Sequence, residues 1–211
     1  MPAVATAAAR IAVRSLGRAD YEPVWRAMQA FTRERGAGTP DELWFVEHPP
    51  VLTLGLAAKP EHVLDAGELP VVRIDRGGQV TWHGPGQLVA YVLVDLRRAG
   101  LGVKELVRRL EQSVLDLLAG YGIAGERRAG MPGVYVAGAK IAAVGLRVSR
   151  GCSYHGIALN VDADLAGFAR INPCGYPGLA ATRLADLGVR DTMGAVQDRW
   201  RQSLLAALEA A

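Results

Sequence analysis

The sequence predicts an α+β domain, a mixed or antiparallel sheet with flanking helices. Three observations carry this. Short apolar runs of strand length, bounded by glycine and proline, recur along the chain. Two segments place apolar residues at helical spacing, Leu106 to Leu118 and Val196 to Leu208. Strands and helices also mix without strict βαβ alternation. The 211 residues, half of them apolar, suffice for one domain with a substantial core. Residues 1–211 are therefore read as a single unit, with residues 1–9 a loose tail.

The elements follow in order. Ile11 to Leu16 reads as a strand, and Asp20 can cap a helix from Tyr21 to Arg35 whose Trp25, Met28 and Phe31 form an apolar stripe. Arg35 to Gly38 closes it. Glu42 to Glu47 is a strand ending at His48-Pro49-Pro50, and Val51 to Leu54 is a strand that stops at Gly55. His48 beside two prolines reads as a turn residue, with a place in the cleft as the alternative. Lys59 to Leu69 is polar connection with a short helical turn. Val71 to Asp75 and Leu88 to Val94 are strands flanking a glycine-rich stretch. Val103 to Ala119 is an amphipathic helix stopped by Gly120 or Gly122, with Arg108, Arg109, Glu111 and Gln112 on its wet face. Arg127, Arg128 and Gly130 lead into a hairpin of Gly133 to Ala137 and Lys140 to Val148. Tyr154 to Val161 is the next strand, and Asp162 to Ala169 is short and helical. Ile171 to Gly178 is a loop by composition, and Ala181 to Leu187 is ambiguous. Thr192 caps a last helix with Val196, Trp200, Leu204, Leu205 and Leu208 on one face.

Composition narrows the function classes. A formal charge of +3 with no basic run interleaved with aromatics argues against nucleic acid. Two cysteines, Cys152 and Cys174, exclude a disulfide framework and fit a reducing, cytoplasmic setting. The alanine-rich start is short and broken by Arg10 and Arg14, so neither a signal peptide nor a membrane span is expected. No Cys/His pair has metal-ligand spacing, no Gly-x-Ser-x-Gly elbow is present, and no Walker motif is present. No metal or cofactor is expected.

The informative stretch runs from Arg76 to Tyr91. Gly77-Gly78 and Gly84-Pro85-Gly86 let the backbone bend or lie against a ligand, while Arg76, Thr81, His83 and Gln87 present polar groups around it. Two ordinary turns are the plain alternative. Cys174, between Pro173 and Gly175, sits in an exposed-loop composition rather than the apolar run typical of an inert thiol. A nearby ammonium would favour its thiolate, and Lys140, opening an apolar strand, is the candidate. Cys152 reads as a turn residue at a strand end. His155 is equally a structural histidine or a substrate contact.

Arg76 to Gln87 matches Arg-Gly-Gly-x-x-Thr-x-His-x-Pro-Gly-Gln at every fixed position and resembles the substrate-binding signature of the lipoyl(octanoyl) transferases. The likeness continues through Gly138 to Arg147, His155 to Asn160 and Pro173 to Gly175. It implies a biotin/lipoate protein ligase-like fold. It also implies octanoyl (or lipoyl) transfer from acyl carrier protein to a lysine of a lipoyl domain, through an acyl thioester on cysteine. The acceptors would be the lipoyl domains of 2-oxoacid dehydrogenase complexes and the glycine cleavage H protein, and no ATP would be required. On this resemblance Cys174 is the nucleophile and Lys140 lowers its pKa and relays protons. Arg76, Gly77, Gly78, Gln79, Val80, Thr81, Trp82, His83, Ala143, Val144, Gly145, Gly156, Ile157 and Ala158 line the acyl site. Six buried methylenes would supply about 5 kcal/mol at roughly 0.8 kcal/mol each. Glycine N–H groups could hold the carbonyl's developing charge, and Arg127, Arg128, Arg147 and Arg150 could dock acidic carrier domains. An ATP-dependent lipoate or biotin ligase of the same fold is the rival, though the biotin enzymes' Gly-Arg-Gly-Arg-x-Gly-Arg motif is missing. A non-catalytic module that holds carrier domains is the alternative from another class.

Overall fold

A computed structural model describes residues 11–210, and for Cys174 the main chain alone. The tail expected over residues 1–9 lies outside the described residues. Seven strands form the main sheet: β1 (Ala12–Arg18), β2 (Glu42–Glu47), β6 (Gln87–Leu93), β7 (Glu126–Arg128), β8 (Met131–Val136), β9 (Ala139–Ser149) and β10 (Cys152–Asn160). Their spatial order is β1-β2-β6-β10-β9-β8-β7, parallel between β1 and β2 and antiparallel elsewhere. A three-stranded sheet holds β3 (Val51–Leu54) between β4 (Val71–Arg73), parallel to it, and β5 (Val80–His83), antiparallel. Four α-helices flank them: α1 (Tyr21–Glu34), α2 (Val103–Gly120), the short α3 (Ala166–Ala169) and α4 (Met193–Glu209). The predicted mixed α+β architecture is what folds.

The alternation of side chains explains the core. Leu43 and Phe45 on β2, with Leu88, Ala90 and Val92 on β6, pack with Leu106, Leu110 and Val114 of α2 and Trp200 and Leu204 of α4. The intervening Trp44, Val46, Val89, Tyr91 and Leu93 face the other way, onto Val24 and Met28 of α1. With both faces covered, the central strands read as unbroken apolar runs. Among the described residues no helix is long and apolar enough to cross a membrane.

Three details depart from the sequence reading. Asp20 occupies the cap position of α1 but accepts no capping bond, whereas Thr192 accepts the Ala195 N–H at the start of α4. Thr81-Trp82-His83 lies inside strand β5, hidden in the sequence because glycine turns leave it only four residues long. Glu111 is 7% exposed, not on a wet face. Its carboxylate accepts the Gly133 N–H (2.8 Å) and Arg127 Nε (3.1 Å), which supplies the partners that burying a charge demands.

Candidate active site

A cavity of about 360 Å³ opens beside strands β9 and β10. Arg76, Gly77, Gly78, Gln79, Val80, Thr81 and His83 line it from the glycine-rich stretch. Ala143, Val144 and Gly145 of β9, and Gly156, Ile157 and Ala158 of β10, line it from the sheet. Lys140 and His155 also reach it. Trp82 does not. Strand β5 alternates, so Trp82 turns away from the side shown by Thr81 and His83. It packs instead with Leu52, Ile171 and Phe168, its ring 5.4 Å from that of Phe168.

The small residues of the sheet wall are paired across the strands, Gly145 with Gly156 and Ala143 with Ala158. A Cβ at Gly156 would lie 1.9 Å from the Ala90 carbonyl oxygen, and one at Gly145 would lie 2.9 Å from Arg76 Cδ. The sheet and the Arg76 stem use that space. Arg76 is 7% exposed, with Nη2 donating to Thr53 O (2.9 Å) and Oγ1 (3.0 Å) and Nη1 to Gly77 O (3.0 Å). The loop after it is stitched down by main chain: Gly77 N–H to Leu146 O (2.9 Å), Leu56 N–H to Arg76 O (2.9 Å) and Ala57 N–H to Gly78 O (3.1 Å). Gly77 N–H is thereby committed to the sheet rather than offered to a substrate carbonyl. Gly78 has φ +88, a conformation that favours glycine.

A chain of buried polar side chains stands behind His83 of the cavity wall. Asn160 Nδ2 donates to Thr182 O (2.9 Å) and Gln87 Nε2 to Asn160 Oδ1 (2.9 Å). That order makes Gln87 Oε1 the acceptor of a proton on His83 Nδ1 (2.6 Å). Burial, with His48 adding, pushes the His83 pKa down to about 3, so the ring is neutral. His48 is fully buried and outside the cavity lining, as a structural histidine should be. Its Nδ1 donates to Ala19 O (2.6 Å) and its Nε2 accepts from the Tyr91 hydroxyl (2.8 Å), and burial lowers its pKa to about 4. Tyr21 and Tyr91 also line the cavity, and burial raises both phenols.

Asp75, which the sequence reading passed over, ties the Arg76 loop to two elements. It accepts from Trp25 Nε1 (2.9 Å) and Gln29 Nε2 (3.0 Å) of α1, and from the Tyr154 hydroxyl (2.5 Å) and His155 Nε2 (2.9 Å) of β10. Burial works to raise its pKa, but these bonds outweigh it and hold the carboxyl well below the usual range. Its signal in the sequence was only its place, one residue before Arg76.

Lys140 is 6% exposed near the start of β9, its Nζ donating to Pro132 O (3.2 Å) and lying 5.1 Å from the centre of the Tyr135 ring. Cys174 occupies a single 3-10 turn, Pro173–Gly175. A Cβ at Gly175 would come within 3.2 Å of Gln79 Cγ and of His62 Nε2, so the turn abuts the glycine-rich stretch. Tyr176, next along, lines the main cavity, and Pro173 shares with Lys140 a small side cavity of about 10 Å³. The segment then runs into β9: Lys140 N–H donates to Ala180 O (2.8 Å) and Thr182 N–H to Lys140 O (3.0 Å).

Cys152 begins β10 rather than sitting in a turn. It is buried, and burial pushes its thiol pKa up, away from a nucleophile's. Three of the four arginines offered for docking have internal work. Arg127 holds Glu111 and Gln112, Arg128 lies over Tyr135 beside Glu126, and Arg150 donates to Arg33 O (2.7 Å).

The family model of the lipoyl protein ligase A/B catalytic domain matches residues 20–205. An octanoyltransferase of Thiobacillus denitrificans is 67% identical over 179 residues, 85% of this chain and 82% of that one. An octanoyltransferase of Azoarcus sp. is 63% identical over 198 residues, 93% and 87% respectively. Among solved structures, lipoate-protein ligase A bound with ATP superimposes with a TM-score of 0.78 at 16% identity, over 94% of this chain and 85% of that one. A biotin protein ligase from Aquifex aeolicus follows at 0.58 and 14%, over 94% and 70%. At such identities these two speak for the fold alone, a biotin/lipoate protein ligase-like catalytic domain. By the reach of the family model and the closeness of its relatives, the chain belongs to the lipoyl protein ligase A/B catalytic domain family.

Proposed function

We propose that this chain, acting as one catalytic unit, is an octanoyltransferase that moves the acyl group from acyl carrier protein to a lysine of a lipoyl domain, with Cys174 holding it as a thioester in between. The supporting observation is the placement of the Cys174 segment, whose continuation at Ala180 and Thr182 is hydrogen-bonded to the Lys140 main chain and whose Tyr176 lines the acyl-sized cavity. The relatives' shared name, octanoyltransferase, supports the reaction class.

In the first step the Cys174 thiolate attacks the carrier thioester carbonyl. A new S–C bond forms, the bond to the carrier's thiol breaks, and the leaving thiolate takes a proton from the Lys140 ammonium. In the second step the acceptor lysine's neutral amine attacks octanoyl-Cys174. A C–N bond forms, Cys174 leaves as thiolate, and the proton lost by the amine returns to Lys140. The chain's methylenes lie against Ala143, Val144, Gly145, Gly156, Ile157 and Ala158, beneath the Arg76 to His83 stretch. The acceptors are the lipoyl domains of 2-oxoacid dehydrogenase complexes and the glycine cleavage H protein, and the reaction is placed in the cytoplasm on the two-cysteine composition.

The test mixes the protein with octanoyl carrier protein and an apo lipoyl domain, without ATP. Mass spectrometry should find octanoyl on Cys174 and then on the lipoyl lysine, and Cys174→Ala should abolish both while Cys152→Ala retains them. No transfer in the absence of ATP would refute the proposal in favour of a ligase.

A further inference from the structure

Pro132 C=O and Gly133 N–H are the two polar ends of a single peptide group. The carbonyl accepts Lys140 Nζ (3.2 Å), and the N–H donates to Glu111 Oε1 (2.8 Å). A trans peptide is planar and its N–H and C=O point in opposite directions. Whatever fixes one end therefore aims the other. We propose that Glu111 is a positioning residue of the acyl-transfer site, aiming the Pro132 carbonyl at the Lys140 ammonium through this peptide. The inference rests on Lys140 acting on Cys174.

The surroundings fit that task. Glu111 comes from α2, is 7% exposed, and is itself held by Arg127 Nε at Oε2 (3.1 Å). Arg127 is in turn fixed by Arg108 O (3.0 Å) and Gln112 Oε1 (2.9 Å) of the same helix. On the far side of the peptide, Gly133 has φ +128, and a Cβ there would lie 2.4 Å from Ala142 O and 3.4 Å from Lys140 Cε. Only glycine fits, and glycine leaves the preceding peptide plane easy to rotate. Without an acceptor for its N–H the plane keeps only the carbonyl's bond to Lys140 between the paired Met131 and Val134, and any rotation turns its oxygen away from the ammonium. A carboxylate on the N–H also polarises the carbonyl, strengthening the bond to the ammonium. Met131 and Pro132 line the cavity, so the same peptide belongs to its wall.

Three variants separate aiming from plain structural or charge roles. Glu111→Gln keeps an acceptor at the reach of Gly133 N–H and loses the charge. Glu111→Asp keeps the charge but withdraws the acceptor by a methylene, and Glu111→Leu removes both. Octanoyl loading of Cys174 from octanoyl carrier protein is followed in single turnover, together with the pH profile of iodoacetamide labelling at Cys174. The Asp and Leu variants should load more slowly, on the order of 10²-fold as for displacements near 1 Å. Their labelling midpoints should rise by roughly one pH unit as the ammonium loses its placement. The Gln variant should stay within a few-fold of wild type. If Leu prevents folding, Asp carries the same expectation. The reverse order, with Asp active and Gln impaired, would reduce Glu111 to a charge partner of Arg127 and overturn the proposal, as would wild-type profiles in all three. Lys140→Met is run beside them. If it leaves the labelling profile unmoved, the Lys140 reading fails on its own account. If it shifts the profile while Asp and Leu do not, the fault lies with Glu111.

Discussion

Two neutral, buried histidines should make this fold acid-labile in a calculable window. Burial holds His83 at about 3 and His48 at about 4, against 6.5 for an exposed imidazole. Above pH 6.5 folded and unfolded chains bind the same protons at these sites, and no stability is at stake. Below it the unfolded chain takes up two protons that the folded chain refuses, so stability falls as pH falls. The slope halves below about pH 4, where His48 protonates in place, and the fall ends at about pH 3, where His83 does. Each refused proton costs about 1.4 kcal/mol per pH unit. Between pH 6.5 and 4.5 the pair should therefore remove about 5 kcal/mol, a large share of the 5–15 kcal/mol typical of a domain. Burial lowers His155 too, in the same sense. Asp75 does not confuse the window, since its depressed pKa sets its own loss below about pH 4. Urea melts at half-unit steps from pH 7 to 4.5 measure the slope. His83→Gln removes one titrating ring and should cut it by about 1.4 kcal/mol per pH unit. A wild-type slope under that figure, or an unchanged slope in His83→Gln, would refute the reasoning.

Two other outcomes follow from the cavity wall and from Lys140. Gly156→Ala forces a methyl to within 1.9 Å of the Ala90 carbonyl, so β10 must part from β6. It should cost more than about 3 kcal/mol and lower Tm by roughly 10 °C. Gly77→Ala meets nothing nearer than Leu146 O at 3.4 Å and should melt close to wild type while slowing acyl loading, because its methyl enters the cavity. Equal losses of Tm in the two would show that both glycines are structural. Lys140→Met keeps the buried stem and removes the charge. The iodoacetamide profile of Cys174 should move upward in pH with labelling recovering at alkaline pH, while acyl transfer recovers less. Superimposable profiles would end the dyad.

Periodicity found what periodicity can report. The α2 and α4 faces and the apolar strands declared themselves, because each repeats over several turns or rungs, whereas the cavity-wall residues of β9 and β10 came from the family resemblance alone. Strand β5 did not, since four residues between glycine turns carry too few alternations to distinguish a strand from a loop. The resemblance grouped Trp82 with its neighbours, although alternation sends it to the opposite side. Glu111 was misplaced for another reason: helical spacing put it among charged residues, and only the arrival of Gly133 and Arg127 from distant sequence made burial affordable. Asp75 escaped notice likewise. Its partners come from α1 and β10, and no local pattern announces a hydrogen bond across the fold.

The clamp that holds Lys140 to Ala180 and Thr182 bears on hydrogen exchange. The amides of Lys140 and Thr182 point into the same two-bond ladder, so a local opening that frees the segment after Cys174 exposes both at once. Under the dyad proposal, that opening also draws the thiol away from its ammonium. Exchange of these two amides and the loss of the thiol's enhanced reactivity would then report one equilibrium, read by deuterium in one case and by an alkylating agent in the other.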